Sequence, residues 1–491
     1  MQRLLCLLLL ALTVETILGQ EPRCEFQVQF TESVYNQRFT GRVLVYLSNS
    51  SEPRLGPNWF SPAPFFAVDV TNIAPGEVIT FDHNALGYPE PLHKLPAKEY
   101  TVQAVLDLDL ANTHRIGSSP GNGYSLSKKV KLDPGMGFKI PLVIDQVVKE
   151  AAFRENDQIK LIELESKLLS QFHGKPVYLR AGVKLPASFS THPEKKYPVV
   201  YEIPGFGGNH RSVARNSLSS QLPMEMLYVV LDPDCRTGHH VFADSANNGP
   251  CGQALIQELI PEIEKRFRGM AKPTARFLTG HSSGGWSSLW LQVTYPDFFA
   301  GTWSTAPDPV DFRDFQRINI YDPGTNMFTE ASGKLRPLAR RGDTPVIWYK
   351  AFSDMEHVLG RGGQLASFEA VFSPKDINNQ PRKLWDRKTG AIDSETARYW
   401  EKYDIRLLLE QNWPTIGDRL AGKIHVFMGE KDTFYLEGAT RLLRESLSRL
   451  GSDAVIELEP GKDHGNLLTS SLYQRIAKEM TEKFLKHHTV P

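Results

Sequence analysis

A serine flanked by glycines is the clearest indication of chemistry in this 491-residue chain. Ser282 lies in the segment Gly-His-Ser-Ser-Gly at 280–284, after an apolar run and before a segment with helical spacing. On a sharp turn from strand to helix a serine hydroxyl is exposed, and flanking glycines let the neighbouring backbone pass without a clash. The pattern predicts that Ser282 is a nucleophile and that the following helix points its N-terminus at a developing oxyanion.

A serine hydroxyl reacts only when a base removes its proton, so a histidine is needed further along the chain. His464 lies in a loop after the last predicted strand and before the last predicted helix, where we expect the general base. Asp432 ends the preceding predicted strand and is expected to orient the histidine. Asp308 and Glu430 are alternatives for this acid, since Asp308 follows the strand that comes after the nucleophile.

Stabilisation of an oxyanion requires two backbone N–H donors. The residue after the nucleophile, Ser283, is predicted to supply one of them. The second is expected from the glycine-rich loop at 204–208, which follows an early predicted strand, with Phe206 or Gly207 as the donor.

Three further residues are predicted to contact substrate. His239 and His240 follow another predicted strand and should reach the sheet edge at which ligands bind. Trp286 lies just after the nucleophile. No third ligand with suitable spacing accompanies the two histidines, so the sequence does not predict a metal site.

The segments that must position these residues divide the chain. Short β-rich runs between proline and glycine turns at 22–147 predict an Ig-like β-sandwich domain. Helical spacing at 148–173 predicts a linker helix. Strands and helices alternate at 174–491, which predicts an α/β fold with a doubly wound, mostly parallel sheet. The pattern loosens at 309–420, and this stretch, termed the cap insertion below, is expected to cover the site.

The N-terminus has the features of an export signal. An apolar run at 4–12 precedes small residues suited to cleavage, so 1–19 is predicted to be a signal peptide of a secreted or periplasmic protein with no membrane span after cleavage. An uncleaved membrane anchor is the alternative. In an oxidising compartment Cys235 and Cys251 are candidates for a disulfide, and two unpaired thiols are equally compatible with the sequence.

Charge excludes some partners. Lys plus Arg and Asp plus Glu both total 56, so no net field attracts the chain to nucleic acid. A small or neutral substrate fits this balance better than a polyanion.

These motifs resemble the putative esterase family, which includes esterase D, S-formylglutathione hydrolases, feruloyl esterase domains and enterochelin esterases. The resemblance runs from about residue 176 to the C-terminus and rests on the segments 204–208, 280–285, 429–432 and 463–465. It implies an α/β-hydrolase fold and ester hydrolysis through an acyl-enzyme on Ser282, without a metal or organic cofactor. Enterochelin esterases are also similar in having a β-sandwich before the hydrolase.

The substrate is not identified by this resemblance, because the cap insertion and the signal peptide depart from a minimal family member. A small-molecule or carbohydrate-linked ester is expected. Acyl transfer and peptide hydrolysis use the same three side chains and stay open as alternatives. A non-catalytic protein that binds carbohydrate or another protein is the alternative from a different class.

Overall fold

The computed structural model describes residues 22–488, and the predicted signal peptide lies outside them. Nine strands form the N-terminal region: β1 (Cys24–Phe30), β2 (Phe39–Ser48), β3 (Phe65–Ile73), β4 (Ile79–Phe81), β5 (Leu86–Tyr88), β6 (Lys98–Leu106), β7 (Gly123–Ser125), β8 (Lys128–Leu132) and β9 (Phe138–Val147).

These nine strands surround one apolar core. They are hydrogen-bonded in the order β4-β1-β9-β7-β6-β2-β3-β5, and β8 pairs with β6. Alternate residues of β1 are buried, which places Phe26 and Val28 in the same apolar cluster as Val45 of β2 and Val102 of β6. The prediction of an all-β region at the N-terminus is confirmed.

The remaining elements build an α/β region. Its strands are β10 (Ile159–Glu165), β11 (Tyr178–Lys184), β12 (Val199–Ile203), β13 (Leu227–Leu231), β14 (Asp234–Cys235), β15 (Gly238–His239), β16 (Asp244–Ser245), β17 (Gly249–Pro250), β18 (Arg276–His281), β19 (Gly301–Thr305), β20 (Pro337–Arg341), β21 (Thr344–Trp348), β22 (Ile424–Gly429) and β23 (Val455–Glu459). Its helices are α1 (Lys167–His173), α2 (Cys251–Ala254), α3 (Ile260–Arg266), α4 (Ser283–Thr294), α5 (Tyr349–Leu359), α6 (Gln364–Phe372), α7 (Ser394–Trp400), α8 (Ile405–Leu420), α9 (Glu437–Arg449) and α10 (Ser470–His488).

An eight-stranded sheet organises this region, in the order β10-β11-β13-β12-β18-β19-β22-β23. The pairs from β13 to β23 are parallel, whereas β10 with β11 and β11 with β13 are antiparallel. The central strands are continuous apolar runs because helices cover both faces of the sheet. Strand β13, for example, is buried at every residue. Parallel strands bring their carboxyl ends to one sheet edge, and the loops after β12, β18, β19, β22 and β23 meet there.

The predicted linker helix at 148–173 is wrong for most of its length. Residues Ile159–Glu165 form strand β10, which pairs along its whole length with β11, and helix α1 begins only at Lys167. Ile162 is buried while charged neighbours stay at the surface. Pairing with β11 therefore makes Ile159–Glu165 a strand. Helix α1 follows it, and the side chain of Ser166 caps this short helix by accepting a hydrogen bond from the Leu169 amide.

The cap insertion packs between the N-terminal strands and the catalytic sheet. It contains the hairpin β20–β21 and helices α5 to α8, and Phe312, Phe372 and Trp400 pack closely in its interior. Arg361 makes a two-pronged ion pair with Asp107 at the end of β6, with both N···O distances at 2.8 Å. The insertion is thus joined to the N-terminal region by a buried, charge-assisted contact.

Cys235 and Cys251 are both buried and unbridged, so the structure has the thiol form of this pair. Burial raises the pKa of Cys235 to about 12, which keeps its thiol protonated. Within residues 22–488 no helix is long and apolar enough to cross a membrane.

Candidate active site

Ser282 occupies a strained turn between β18 and α4. Its backbone has a positive φ, at φ 60° and ψ −126°, which is rare for a residue with a side chain. The strain holds the hydroxyl at the sheet edge, where Ser282 lines a cavity. The structure therefore places the predicted nucleophile as the strand-turn-helix pattern requires.

Two glycines make this turn sterically accessible. A Cβ atom on Gly284 would lie 1.9 Å from the carbonyl oxygen of Ile203, and one on Gly280 would lie 2.1 Å from that of Gly284. Both distances are far inside van der Waals contact. The glycines of the motif are therefore required because backbone passes directly over them.

Asp432 and His464 are brought together from the loops after β22 and β23. The Nδ1 atom of His464 lies 2.7 Å from Oδ2 of Asp432, and Oδ1 of Asp432 accepts a hydrogen bond from the Phe434 amide at 2.8 Å. The carboxylate is completely buried. These contacts fix the ring with its proton on Nδ1, which leaves Nε2 free to accept a proton.

The surroundings of His464 set its basicity. Burial lowers the pKa of the imidazole, but the charge and hydrogen bond of Asp432, together with the charges of Asp308 and Asp463, outweigh burial, so the pKa is raised above its ordinary value of 6.5. His464 and Ser282 line the same cavity, although no hydrogen bond joins the two side chains in the described chain. Such bonds often tighten only when substrate is present.

Ser283 and Phe206 belong to the two segments that adjoin the nucleophile, helix α4 and the loop at 204–208. Ser283 begins helix α4, so its N–H has no partner within the helix and carries the positive end of the helix dipole. The loop at 204–208 passes against the nucleophile, because a Cβ atom on Gly205 would lie only 3.8 Å from Oγ of Ser282. Of the two predicted donors in this loop, Phe206 lines the cavity and Gly207 does not.

Asp308, an alternative acid from the sequence, lies in the same cavity with a different partner. Its Oδ2 atom accepts a hydrogen bond from the hydroxyl of Ser283 at 2.5 Å, whereas His464 is hydrogen-bonded to Asp432. Burial raises the pKa of Asp308 to about 6. Glu430, the other alternative, makes no side-chain hydrogen bond to His464 within residues 22–488.

A cavity of about 260 Å³ opens above Ser282, and three parts of the chain line it. Trp59 comes from the N-terminal region, Phe206 from the loop after β12, and Phe352 from helix α5 of the cap insertion. The ring of Trp59 lies 5.5 Å from that of Phe206 and 5.1 Å from that of Phe352. The cavity is therefore a largely aromatic pocket that fits a small organic group.

The three residues predicted to contact substrate, His239, His240 and Trp286, do not line this cavity. His239 is buried and donates from Nε2 to the carbonyl of Pro204 at 2.8 Å, which supports the loop that carries Phe206. His240 is buried against Phe242.

Trp286 lies on the buried face of helix α4, stacked on Trp290 at 5.2 Å. All three side chains are buried. Burial lowers the pKa of His239 to about 4 and that of His240 to about 3, so both rings are neutral.

Some lining residues were not found by sequence reasoning. Trp59, Phe352, Gln364 and Phe368 lie far from the motif in sequence, and nothing in their local pattern distinguishes them from core residues. Only tertiary packing brings them to Ser282. Among residues 22–488 no group of three or more His, Cys, Asp or Glu side chains is arranged to hold a metal ion.

An α/β-hydrolase is defined by a mostly parallel sheet, a serine on the strained turn after a central strand, and a histidine paired with a buried aspartate after later strands. The described chain has all three features. The chain belongs to the family described as "Putative esterase", whose model matches residues 178–450. It is accordingly a serine-dependent carboxylic ester hydrolase.

Solved structures to which the chain is similar include a ferulic acid esterase, with 16% identity, 67% of this chain and 100% of that chain covered, and a TM-score of 0.43. An S-formylglutathione hydrolase from Agrobacterium tumefaciens has 15% identity, covering 68% and 98%, with a TM-score of 0.41. One from Staphylococcus aureus has 13% identity, covering 67% and 100%, with a TM-score of 0.40. No curated protein matches the chain. Likeness of this degree assigns no substrate.

Proposed function

We propose that this protein is a secreted serine esterase that hydrolyses small or carbohydrate-linked carboxylic esters through an acyl-enzyme on Ser282. The observation that carries the proposal is the hydrogen bond of 2.7 Å between His464 and the buried Asp432, beside a serine held in a strained turn at the same cavity. A base with a fixed tautomer next to an exposed hydroxyl is the arrangement that nucleophilic catalysis by serine requires.

Acylation begins when Nε2 of His464 takes the proton of the Ser282 hydroxyl as Oγ bonds to the ester carbonyl carbon. The carbonyl π electrons move to its oxygen, and the amides of Ser283 and Phe206 stabilise that oxyanion. When the carbonyl re-forms, the bond to the alcohol breaks and the departing oxygen takes the proton from Nε2. The alcohol leaves and an acyl-serine stays behind.

Deacylation repeats these steps with water. His464 removes a proton from water as its oxygen attacks the acyl carbon, and the same two amides stabilise the second oxyanion. Collapse releases the carboxylic acid and returns the proton to Oγ of Ser282. Asp432 neither gains nor loses a proton in either step, and its charge stabilises the imidazolium form of His464.

Labelling with a fluorophosphonate probe tests the mechanism. The wild type should be labelled, and both Ser282→Ala and His464→Ala should abolish labelling. Ser288→Ala is a matched control, because this buried serine of helix α4 donates only to the carbonyl of Gly285 and lies outside the cavity. A folded wild type that is not labelled would refute the proposal.

Secretion is the second part of the proposal and rests on the apolar run at 4–12. Expression of the full chain in a secreting host, followed by N-terminal sequencing of the exported protein, tests it. We expect a mature N-terminus near Gln20. Retention of residues 1–19 on a membrane-bound product would favour the anchor instead.

A further inference from the structure

The loop that carries Asp432 is held from outside by the cap insertion. This acid loop, residues 430–436, joins strand β22 to helix α9. Three consecutive carbonyl groups in it, at positions 432, 433 and 434, each accept a hydrogen bond from residue 316 or 340 of the insertion. Loop carbonyls lack the partners that a sheet supplies, so donors from another part of the chain fix their positions. The cap insertion therefore does more than line the cavity.

Arg340 of strand β20 supplies two of these hydrogen bonds. Its backbone amide donates to the carbonyl of Thr433 at 2.8 Å, and its Nε donates to the carbonyl of Asp432 at 2.9 Å. Its Nη2 pairs with Oε1 of Glu437 at 2.7 Å, and both of these side chains are largely buried. The guanidinium group also lies over the ring of Tyr435, 4.5 Å from its centre. These contacts fix the guanidinium group in the orientation that points Nε at the acid loop.

Gln316 supplies the third hydrogen bond from a fixed amide. Its Nε2 donates to the carbonyl of Phe434 at 2.9 Å, and its Oε1 accepts a hydrogen bond from the hydroxyl of Tyr349. A carbonyl oxygen only accepts, so the amide nitrogen is the atom that faces Phe434. The acid loop is therefore held at two separate points of the cap insertion.

Movement of the acid loop would change two contacts of His464. The carboxylate of Asp432 lies 2.7 Å from Nδ1 of the imidazole, and the ring of Phe434 meets the imidazole edge-on at 5.0 Å. A hydrogen bond weakens steeply when its distance and angle depart from the optimum. The tautomer and the basicity of His464 depend on the bond to Asp432, so they depend on the position of this loop.

We propose that Arg340 is a positioning residue for ester hydrolysis, which holds the acid loop so that the carboxylate of Asp432 meets His464. The side chain of Arg340 does not line the cavity and acts through the backbone of the loop. The cap insertion is then part of the catalytic apparatus as well as a wall of the cavity. This role rests on the proposed function of Ser282, Asp432 and His464.

The other charged or titratable groups around His464 lie outside the acid loop. Asp308 follows strand β19 and Asp463 precedes His464 in its own loop, and both charges raise the pKa of the imidazole. The ring of His281 lies 4.6 Å away and is neutral, since burial lowers its pKa to about 3. Among the described residues, none of these three groups is hydrogen-bonded to Arg340. A change at position 340 therefore acts on His464 through the acid loop.

The pH dependence of p-nitrophenyl acetate hydrolysis by Arg340→Met tests the proposal. Methionine has no side-chain donor, so the bond to the carbonyl of Asp432 is lost while the backbone bond to Thr433 is kept. We expect kcat/KM to fall by about 10- to 100-fold, the range found when a group that orients a reacting side chain is removed. The midpoint of the pH profile should also move to lower pH, because His464 keeps its burial but loses part of the interaction that raises its pKa.

Three further variants separate positioning from folding. Arg340→Met leaves the carboxylate of Glu437 without its partner, so the double variant Arg340→Met with Glu437→Gln keeps the test valid if the single variant fails to fold, and it should show the same midpoint shift. Glu437→Gln alone retains the bond from Arg340 to Asp432 and should keep the wild-type midpoint. Arg341→Met is the matched control, since this exposed neighbour has its guanidinium group 5.9 Å from the ring of Phe60 and should also keep that midpoint.

The position of the midpoint decides between the two roles. A merely structural role of Arg340 would reduce the folded fraction, measured by thermal unfolding, and leave the midpoint at its wild-type value. A folded double variant with the wild-type midpoint would overturn the proposal, and so would an equal shift in Arg341→Met. Failure of the proposed function is a different outcome, in which the wild type cleaves no ester and a fluorophosphonate does not label Ser282.

Discussion

Replacing Asp432 by asparagine should disable the enzyme while leaving its fold intact. The side chains have nearly the same shape, and the amide oxygen can still accept from the Phe434 amide, which now bonds Oδ1 at 2.8 Å. The amide nitrogen then faces Nδ1 of His464 in place of the carboxylate oxygen that lies 2.7 Å away. Since both would be donors, the imidazole must carry its proton on Nε2, where it cannot take the proton of Ser282.

The expected loss is large because two contributions combine. The wrong tautomer removes the general base, and the lost carboxylate no longer stabilises the imidazolium in a site where Asp432 is completely buried. Together we expect kcat/KM to fall by about 10³- to 10⁴-fold, which corresponds to about 4–5.5 kcal/mol of transition-state stabilisation.

The pH profile supplies a second readout with a defined sign. Activity requires neutral His464, so kcat/KM rises with pH through the pKa of this residue. Asp432 raises that pKa above 6.5 in the wild type. In Asp432→Asn the carboxylate is gone and burial persists, so the midpoint of any residual activity should move to lower pH.

The assay is hydrolysis of p-nitrophenyl acetate across the pH range in which imidazole titrates. Glu430→Gln is the matched control, since it removes an acidic group two positions earlier in the same loop and should cost less than about twofold. Asp308→Asn tests the alternative acid and should cost less than about 10-fold on this small ester. Retention of more than about a tenth of the activity by Asp432→Asn, or a greater loss in Asp308→Asn, would refute the assignment.

Three further changes have expected outcomes. Gly284→Ala should destabilise the fold by about 3 kcal/mol or more and abolish probe labelling, because its Cβ would lie 1.9 Å from a carbonyl oxygen; thermal melts and labelling measure both. Trp59→Ala should raise KM for p-nitrophenyl butyrate by about 10-fold, since one aromatic wall of the cavity is lost. Arg361→Leu should lower the free energy of unfolding in urea by about 3 kcal/mol, because it leaves the buried Asp107 carboxylate with the Asn122 amide but without its charged partner.

Each of these changes has a control in the same chain. Gly135→Ala adds a methyl group that would meet a single side-chain oxygen, Oδ1 of Asp133, at 3.3 Å, and the exposed Leu55→Ala removes apolar surface from the N-terminal region away from the cavity. Arg382→Leu breaks two partly exposed ion pairs, with Asp393 and Glu395, each worth at most about 1 kcal/mol. Equal effects of Arg361→Leu and Arg382→Leu, or an unchanged KM in Trp59→Ala, would contradict the roles assigned here.

The sequence predicted the site most accurately where local geometry and chemistry are linked. The turn at Ser282 requires a glycine at 284, because a backbone oxygen lies within 2 Å of where a Cβ would be. The glycines seen in the sequence therefore report the tight turn directly. The order of strands along the chain likewise predicted that Asp432 and His464 follow neighbouring strands, as β22 and β23 do.

Prediction failed where long-range packing decides the outcome. Residues Ile159–Glu165 have helical spacing in sequence, yet pairing with β11 makes them a strand. His239, His240 and Trp286 are near catalytic residues along the chain but are buried, and only the folded structure reveals that they do not line the cavity. Conversely, Trp59 is more than 200 positions from Ser282 in sequence and lines the same cavity.

Because Trp59 lines the cavity, ester cleavage and substrate selection depend on different parts of the chain. Bond cleavage is assigned to the loops of the α/β sheet, whereas one surface that selects the substrate belongs to the N-terminal strands, outside the segment 178–450 shared with the family. Variation in the loop that carries Trp59 can therefore change which esters are accepted while the reacting residues stay the same. Two relatives with identical catalytic segments need not share a substrate, and exchanging their N-terminal regions would exchange part of their selectivity.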